Sequence, residues 1–284
     1  MTPEELQARL REENKYAHVV PRQVPSEYEH DRQVQGEIVT AGARLLKNYE
    51  PVIGGLSGQA HAATYYMLGA YSYLIELWGS PAFAADMDDD GRVSDEEALR
   101  WIDMELHGEG WVTPHQVQHP DLGEIWIGGT QKKHTQRTPP ARYIEMEAQK
   151  NADFVLYAAS QFPKVEIEEM EVTPEAGNLY WVDVTVKNER IYPTFSDRER
   201  ELGTAVMDKL VFASSGNVEM VEIPGEMTQI DPLNPGSRAV AVGETTYELG
   251  LRGQDTQTFR YLVEKSGGEG WVEISVESFH GGSA

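Results

Sequence analysis

The stretch Asp86–Glu97, DMDDDGRVSDEE, spaces oxygen-bearing side chains in a way that suits a hard cation. Asp86, Asp88, Asp90 and Ser94 fall at loop positions one, three, five and nine, and Glu97 at position twelve. Gly91 takes the sixth position, where the chain must turn sharply. Arg92, the seventh, would offer its backbone carbonyl, and Val93, the eighth, an apolar anchor. Calcium takes roughly six to eight oxygen ligands, and an EF-hand loop supplies them in this order. The alternative is a solvated acidic loop. Against it stand the agreement of these positions and the helical pattern that follows at once. PAFAA, just before the loop, does not read as an entering helix, and no second hand is visible. An unpaired loop of this kind fixes local geometry rather than switching it, whereas a calcium sensor would have to expose apolar surface on binding.

Glu76 is the second candidate. It lies inside AYSYLIELW, residues 70–78, an aromatic and branched run that reads as a strand buried on both faces. A carboxylate there is costly to bury unless it meets a partner, a metal or a cleft, which marks it as functional. The competing reading is a strand-end Glu facing water. His115 and His119 are four residues apart, but PHQVQHPD is bracketed by prolines and reads as a loop. Tyr65, Tyr66, Tyr71 and Tyr73 could present one ring to a substrate, with aromatic packing as the ordinary role.

The run SGQAHAATYYMLGAYSYLIELWG resembles the stretch around the catalytic glutamate of the zinc carboxypeptidases, peptidase family M14. HPDLGEIWIGG and TPPARYIEMEAQKNADFVLYAASQFPKVEIEEMEV are similar to the tail of its large bacterial members. NERIYPT and YLVEKSGGEGWVEISVESFHGG resemble their appended β domain. The resemblance implies an α/β sheet with helices on both faces, a Zn2+ cofactor and a peptide or protein substrate. It also implies that Glu76 is the general base, taking a proton from a zinc-bound water whose pKa is near ~7 as that water attacks the peptide carbonyl.

The chain departs from the family at the zinc ligands, two His and one Glu of which the first pair is spaced HxxE. None of His18, His30, His61, His107, His115, His119, His134 and His280 is followed at the third position by Glu. The family's substrate-clamping arginines have no match either. The expectation is a metallocarboxypeptidase-like protein whose zinc ligands lie in a segment upstream of these residues, so that this chain alone would be inactive. The alternative is a non-catalytic, calcium-stabilised binding protein on a peptidase-derived scaffold.

The elements that would position these groups begin with a helix from Thr2 to about Asn14, and a second helix is expected over Val34–Leu46. Gly54, Gly55 and Gly58 mark a turn before HAATYYMLG, a short buried helix. After the acidic loop, DEEALRWIDMELHGEG reads as a helix ending at Gly108, followed by a loop-rich stretch to Pro140. Arg142–Phe162 repeats Ile144, Ala148, Ala152, Val155, Leu156 and Ala159 at helical spacing, as for a helix packed on a sheet. From Val165 the texture turns to short alternating runs divided by turn residues, as in a β-sandwich.

The fold class expected is therefore α/β followed by all-β. Residues 1–163 would be a partial zinc-carboxypeptidase-like α/β domain carrying the loop at 86–97, and residues 164–284 a β-sandwich. The 24 basic against 47 acidic residues leave a net charge of −23, which repels polyphosphates and anionic lipid. Nucleic acid and membrane surfaces are accordingly excluded as partners. With no cysteine there are no disulfides, thiolate ligands or cysteine nucleophile. No apolar run has the ~18 residues of a membrane span, and the first residues are too polar for a signal peptide. A soluble protein is expected, secreted or periplasmic only if an export signal lies upstream.

Overall fold

The computed structural model describes residues 28–46, 60–75, 77–78, 86–131, 138–221 and 240–283, excepting the side chains of residues 240 and 241. The helix expected from Thr2 lies outside these residues, as do the turn at Gly54, Gly55 and Gly58 and the candidate base Glu76. Among the described residues no helix is long and apolar enough to cross a membrane. The chain mixes helices with antiparallel sheets and ends in a strand-rich segment.

Helix α1, Glu29–Leu46, opens on Glu29 and Asp31 and closes on Arg44, charges that complement the helix dipole at both ends. It contains the predicted Val34–Leu46 segment. Helix α2, Ala60–Leu68, stops at Gly69, whose φ of 75° is left-handed. Helix α3, Asp95–Leu106, follows the acidic loop as predicted. It ends where His107 and Gly108 turn left-handed, with φ of 50° and 82°.

Three expectations are corrected. The described residues of 70–78 are not in a strand, and Leu74 and Leu77 are exposed. An apolar run long enough for a strand still needs a partner edge, and none of the described strands supplies one. The loop-rich stretch before Pro140 contains a hairpin, β1 Trp111–His119 and β2 Gly123–Thr130. Pro114 is tolerated there because the register slips between Val112 and His115, a bulge that needs no donor from it. Helix α4, Ala141–Ser160, forms where expected, but Ile144, Ala148, Ala152, Val155, Leu156 and Ala159 are its exposed side. Its buried residues are Glu147 and Phe154.

The chain divides into two compact units. Of the described residues, the first contains 28–39, 60–72 and 158–283, and the second 40–46 and 73–157.

In the first unit, β3 Val165–Pro174, β4 Leu179–Asn188, β5 Asp208–Ser214, β6 Val218–Met220, β7 Val240–Ala241, β8 Thr246–Leu249, β9 Thr256–Lys265, β10 Val272–Ser278 and β11 Gly282–Ser283 form two sheets. One has the order β3-β4-β9-β6, with β7 added parallel to β9, and the other β11-β10-β5-β8. Alternation sets the inner faces: Val182, Val184 and Val186 on β4 and Phe259, Tyr261 and Val263 on β9 share one core with Leu210, Phe212, Ile274 and Val276 of the other sheet. Phe212 and Tyr261 meet across the layers at 5.0 Å between ring centroids. Each such side chain contributes about 1.5–3 kcal/mol on burial. The short alternating runs expected from Val165 onward do form strands.

Helix α5, Asp197–Leu202, was not expected, although SDRE spells a capping box in which Ser196 and Glu199 satisfy each other's backbone N–H groups. It begins at Asp31, a fully buried carboxylate on α1 that accepts from the backbone N–H groups of Asp197 at 3.0 Å and Arg198 at 3.1 Å. The hydroxyls of Tyr65 and Tyr71 donate to the same carboxylate at 2.6 and 2.7 Å. Arg198 in turn donates to the Tyr66 carbonyl and to the Tyr28 hydroxyl, and Ser196 Oγ to the Gly69 carbonyl at 2.7 Å. This is why residues 28–39 and 60–72 group with the β-rich segment.

In the second unit Trp78, Trp101 and Ile102 form a small core, with Val93, Leu106 and Tyr143 packed against it. Phe154 of α4 lies on Gly42 of α1 and meets the Tyr73 ring edge-on, with centroids 6.0 Å apart.

Candidate metal centre

The loop at 86–97 is shaped by its own carboxylates. Asp86 accepts from the backbone N–H of Asp90 at 3.2 Å and of Gly91 at 3.0 Å, drawing the first residue over the turn. Asp89 and Gly91 both have positive φ, 58° and 83°, and the glycine makes the second of these cheap. Asp88 accepts from Asp90 N–H at 3.3 Å, and Asp90 from Arg92 N–H at 2.8 Å.

Ser94 and Glu97 then close the loop. Ser94 caps α3, its Oγ accepting from Glu97 N–H at 3.3 Å. Glu97 Oε2 accepts from the Ser94 N–H and hydroxyl at 2.9 and 2.8 Å, while Oε1 accepts from Met87 N–H at 2.9 Å. Glu97 thus ties the twelfth position back to the second. These hydrogen bonds, chiefly those from the Ser94 backbone and hydroxyl, hold its carboxyl down to about 2.

Carboxylate oxygens of Asp86, Asp88 and Glu97 lie within 4.8 Å of one another, and among the described residues this is the only group of three or more acidic or histidine side chains that converges so. Oxygens bound to one calcium at ~2.3–2.6 Å can be at most about 5 Å apart, so these three fit a single ion. Of the remaining predicted ligands, Asp90 accepts from the Arg92 backbone N–H, and Ser94 Oγ is engaged with Glu97. Val93, the predicted anchor, packs into the Trp78–Trp101 cluster, which composition alone did not reveal.

Glu76 lies outside the described residues, so the candidate base has no geometry to set beside the loop. The tyrosines take packing and hydrogen-bonding roles. Tyr65 and Tyr71 hold Asp31, Tyr66 meets Tyr65 edge-on at 5.2 Å, and Tyr73 abuts Phe154. Tyr65 is pushed well above the usual phenol range by burial and then by the Asp31 charge. His115 and His119 stand on the strand β1 rather than in a loop, where four residues span about 13 Å, too far to share one ion. His119 Nδ1 instead accepts from the backbone N–H of Asp121 and Leu122, at 3.1 and 3.2 Å, and caps the hairpin turn.

Residues 164–284 match the family model described as a domain of unknown function, DUF8731. No curated protein and no solved structure matches the chain. The matched span coincides with the segment predicted as the β-sandwich and lies within the first compact unit.

Proposed function

We propose that residues 86–97 bind one calcium ion that acts as a structural clip, in a protein built on a carboxypeptidase-like scaffold. One observation carries the calcium reading: Asp86, Asp88 and Glu97 converge within 4.8 Å, while Val93 at the eighth loop position is anchored in an aromatic core. The loop's hydrogen bonds hold these carboxylates together against the repulsion of like charges. Bound calcium would offset that repulsion and fix Ser94 and Glu97 at the start of α3.

The test is thermal melting of the chain with calcium and with chelator. At a calcium concentration one hundred times Kd, binding adds about 2.7 kcal/mol of stability. Asp86→Ala and Glu97→Gln should each remove most of the calcium-dependent rise in Tm. Identical melting of the parent protein in calcium and in chelator would end the reading.

The peptidase reading rests on the sequence likeness around Glu76. It requires zinc ligands beyond the histidines of this chain, none of which begins an HxxE pair. On this reading the chain neither holds zinc tightly nor cleaves a peptide with a free C-terminus by itself, and Glu76→Gln abolishes the cleavage seen when a segment bearing HxxE is joined upstream. Full cleavage by the Glu76→Gln form of that longer protein would remove Glu76 from the chemistry.

A further inference from the structure

We infer that calcium binding at 86–97 is transmitted to Trp78 and tightens the aromatic cluster that holds its ring. The inference rests on the calcium reading above and adds a consequence to it.

Glu97 and Trp101 are four residues apart on α3, so the proposed ligand and the indole occupy one helix face, a turn from each other. Trp101 is almost wholly buried and faces the Trp78 ring at 6.1 Å, with the planes tilted by 33°. Tyr143 holds the Trp78 ring at 5.4 Å. Val93 joins the same cluster from the loop itself, one residue before the Ser94 cap. The loop therefore reaches Trp78 by two routes, through the helix and through the anchor.

Trp78 is also held in an unfavourable backbone conformation. Its φ is 58°, a left-handed value that a bulky residue adopts only when its surroundings impose it. Leu77, its neighbour, is exposed, while the Trp78 ring is packed against Trp101 and Tyr143. Small displacements of α3 on drawing Glu97 toward an ion would move Trp101 and therefore Trp78, because packed side chains transmit rather than absorb shifts.

The experiment pairs calorimetric titration of the full chain with calcium chloride against tryptophan fluorescence and near-ultraviolet circular dichroism over the same range. The expected result is a spectroscopic change with the calorimetric midpoint, cut at least threefold in amplitude by Trp78→Phe and unaffected by Trp126→Phe on the exposed hairpin. Val93→Ala, which keeps every proposed ligand, should bind calcium while reducing the amplitude at least twofold. Calcium heat without any tryptophan response, or a response that survives Trp78→Phe in full, overturns the inference and leaves the calcium reading standing. Absence of calcium heat overturns both. Hydrogen exchange of the wild-type chain is a second measurement, independent of any variant: calcium should slow exchange of the Trp78 amide at least tenfold, and an unchanged rate overturns the coupling.

Discussion

The Tyr65 hydroxyl donates to the Asp31 carboxylate at 2.6 Å, inside a site where Asp31 is fully buried. Two backbone N–H groups at the start of α5 and the Tyr71 hydroxyl complete its shell. Hydrogen bonds to a buried charge are worth about 1.5–3 kcal/mol each, and stranding their donors costs more than the mean bond. Asp31→Ala should therefore destabilise by about 3 kcal/mol or more, and Tyr65→Phe by about 1–2 kcal/mol. Denaturant midpoints decide it, and a loss below about 0.5 kcal/mol for Asp31→Ala would show the network to be incidental.

The Arg260–Asp183 pair makes the contrasting case. Its contacts are short, 2.6 and 2.8 Å, but the Arg260 side chain is 43% exposed. Solvent screens such pairs, so Asp183→Ala should cost no more than about 1 kcal/mol despite the bidentate geometry. A loss equal to that of Asp31→Ala would contradict the weight placed here on burial.

Gly42 offers a test in which two effects oppose each other. Alanine in a helix interior gains about 1 kcal/mol over glycine. A Cβ at position 42, however, would run into the Phe154 ring, which also meets Tyr73 edge-on. Overpacking costs typically about 1–3 kcal/mol, so Gly42→Ala should be a net loss. Combining it with Phe154→Leu should restore part of that loss, an interaction that a double-mutant cycle reads directly.

His30 makes the first unit sensitive to acid. Burial lowers its pKa, the Arg252 charge lowers it further, and Asp31, Asp255 and a hydrogen bond with Gln33 pull the other way. A folded pKa below the unfolded value means that the fold prefers neutral imidazole. That contribution is present above the ordinary value of about 6.5 and is lost as pH falls through the lowered one. Tm should drop between pH 7 and pH 5, and His30→Gln should flatten that slope. An unchanged slope in the variant would assign the acid sensitivity to another group.

Much of the first unit was legible because its physics is local. LYWVDVTVKN alternates from Val182 onward, and β4 buries all three of its valines. The DMDDDGRVSDEE spacing likewise announced both the loop and the helix after it, since Ser94 and Glu97 double as a capping box. Residues 70–78 and α4 were misread for one shared reason. Apolar pattern states what a segment could bury, while the neighbour that does the burying is set by the tertiary fold. The hairpin was missed because Pro114 and Pro120 look like strand breakers until the bulge and the turn are known. Asp31 gave no signal at all, since an acid in the first turn of a helix is ordinarily a solvated dipole partner.

Strand β3 ends its sheet, with Met170 and Val172 exposed among Glu166, Glu168, Glu169 and Glu171. Its open backbone edge would otherwise be a template for a second copy of the same strand, and the row of carboxylates keeps such a neighbour away. That defence is conditional. In molar salt the field of these glutamates reaches only about 3 Å. Strong brine should therefore bring on lateral clumping along that seam.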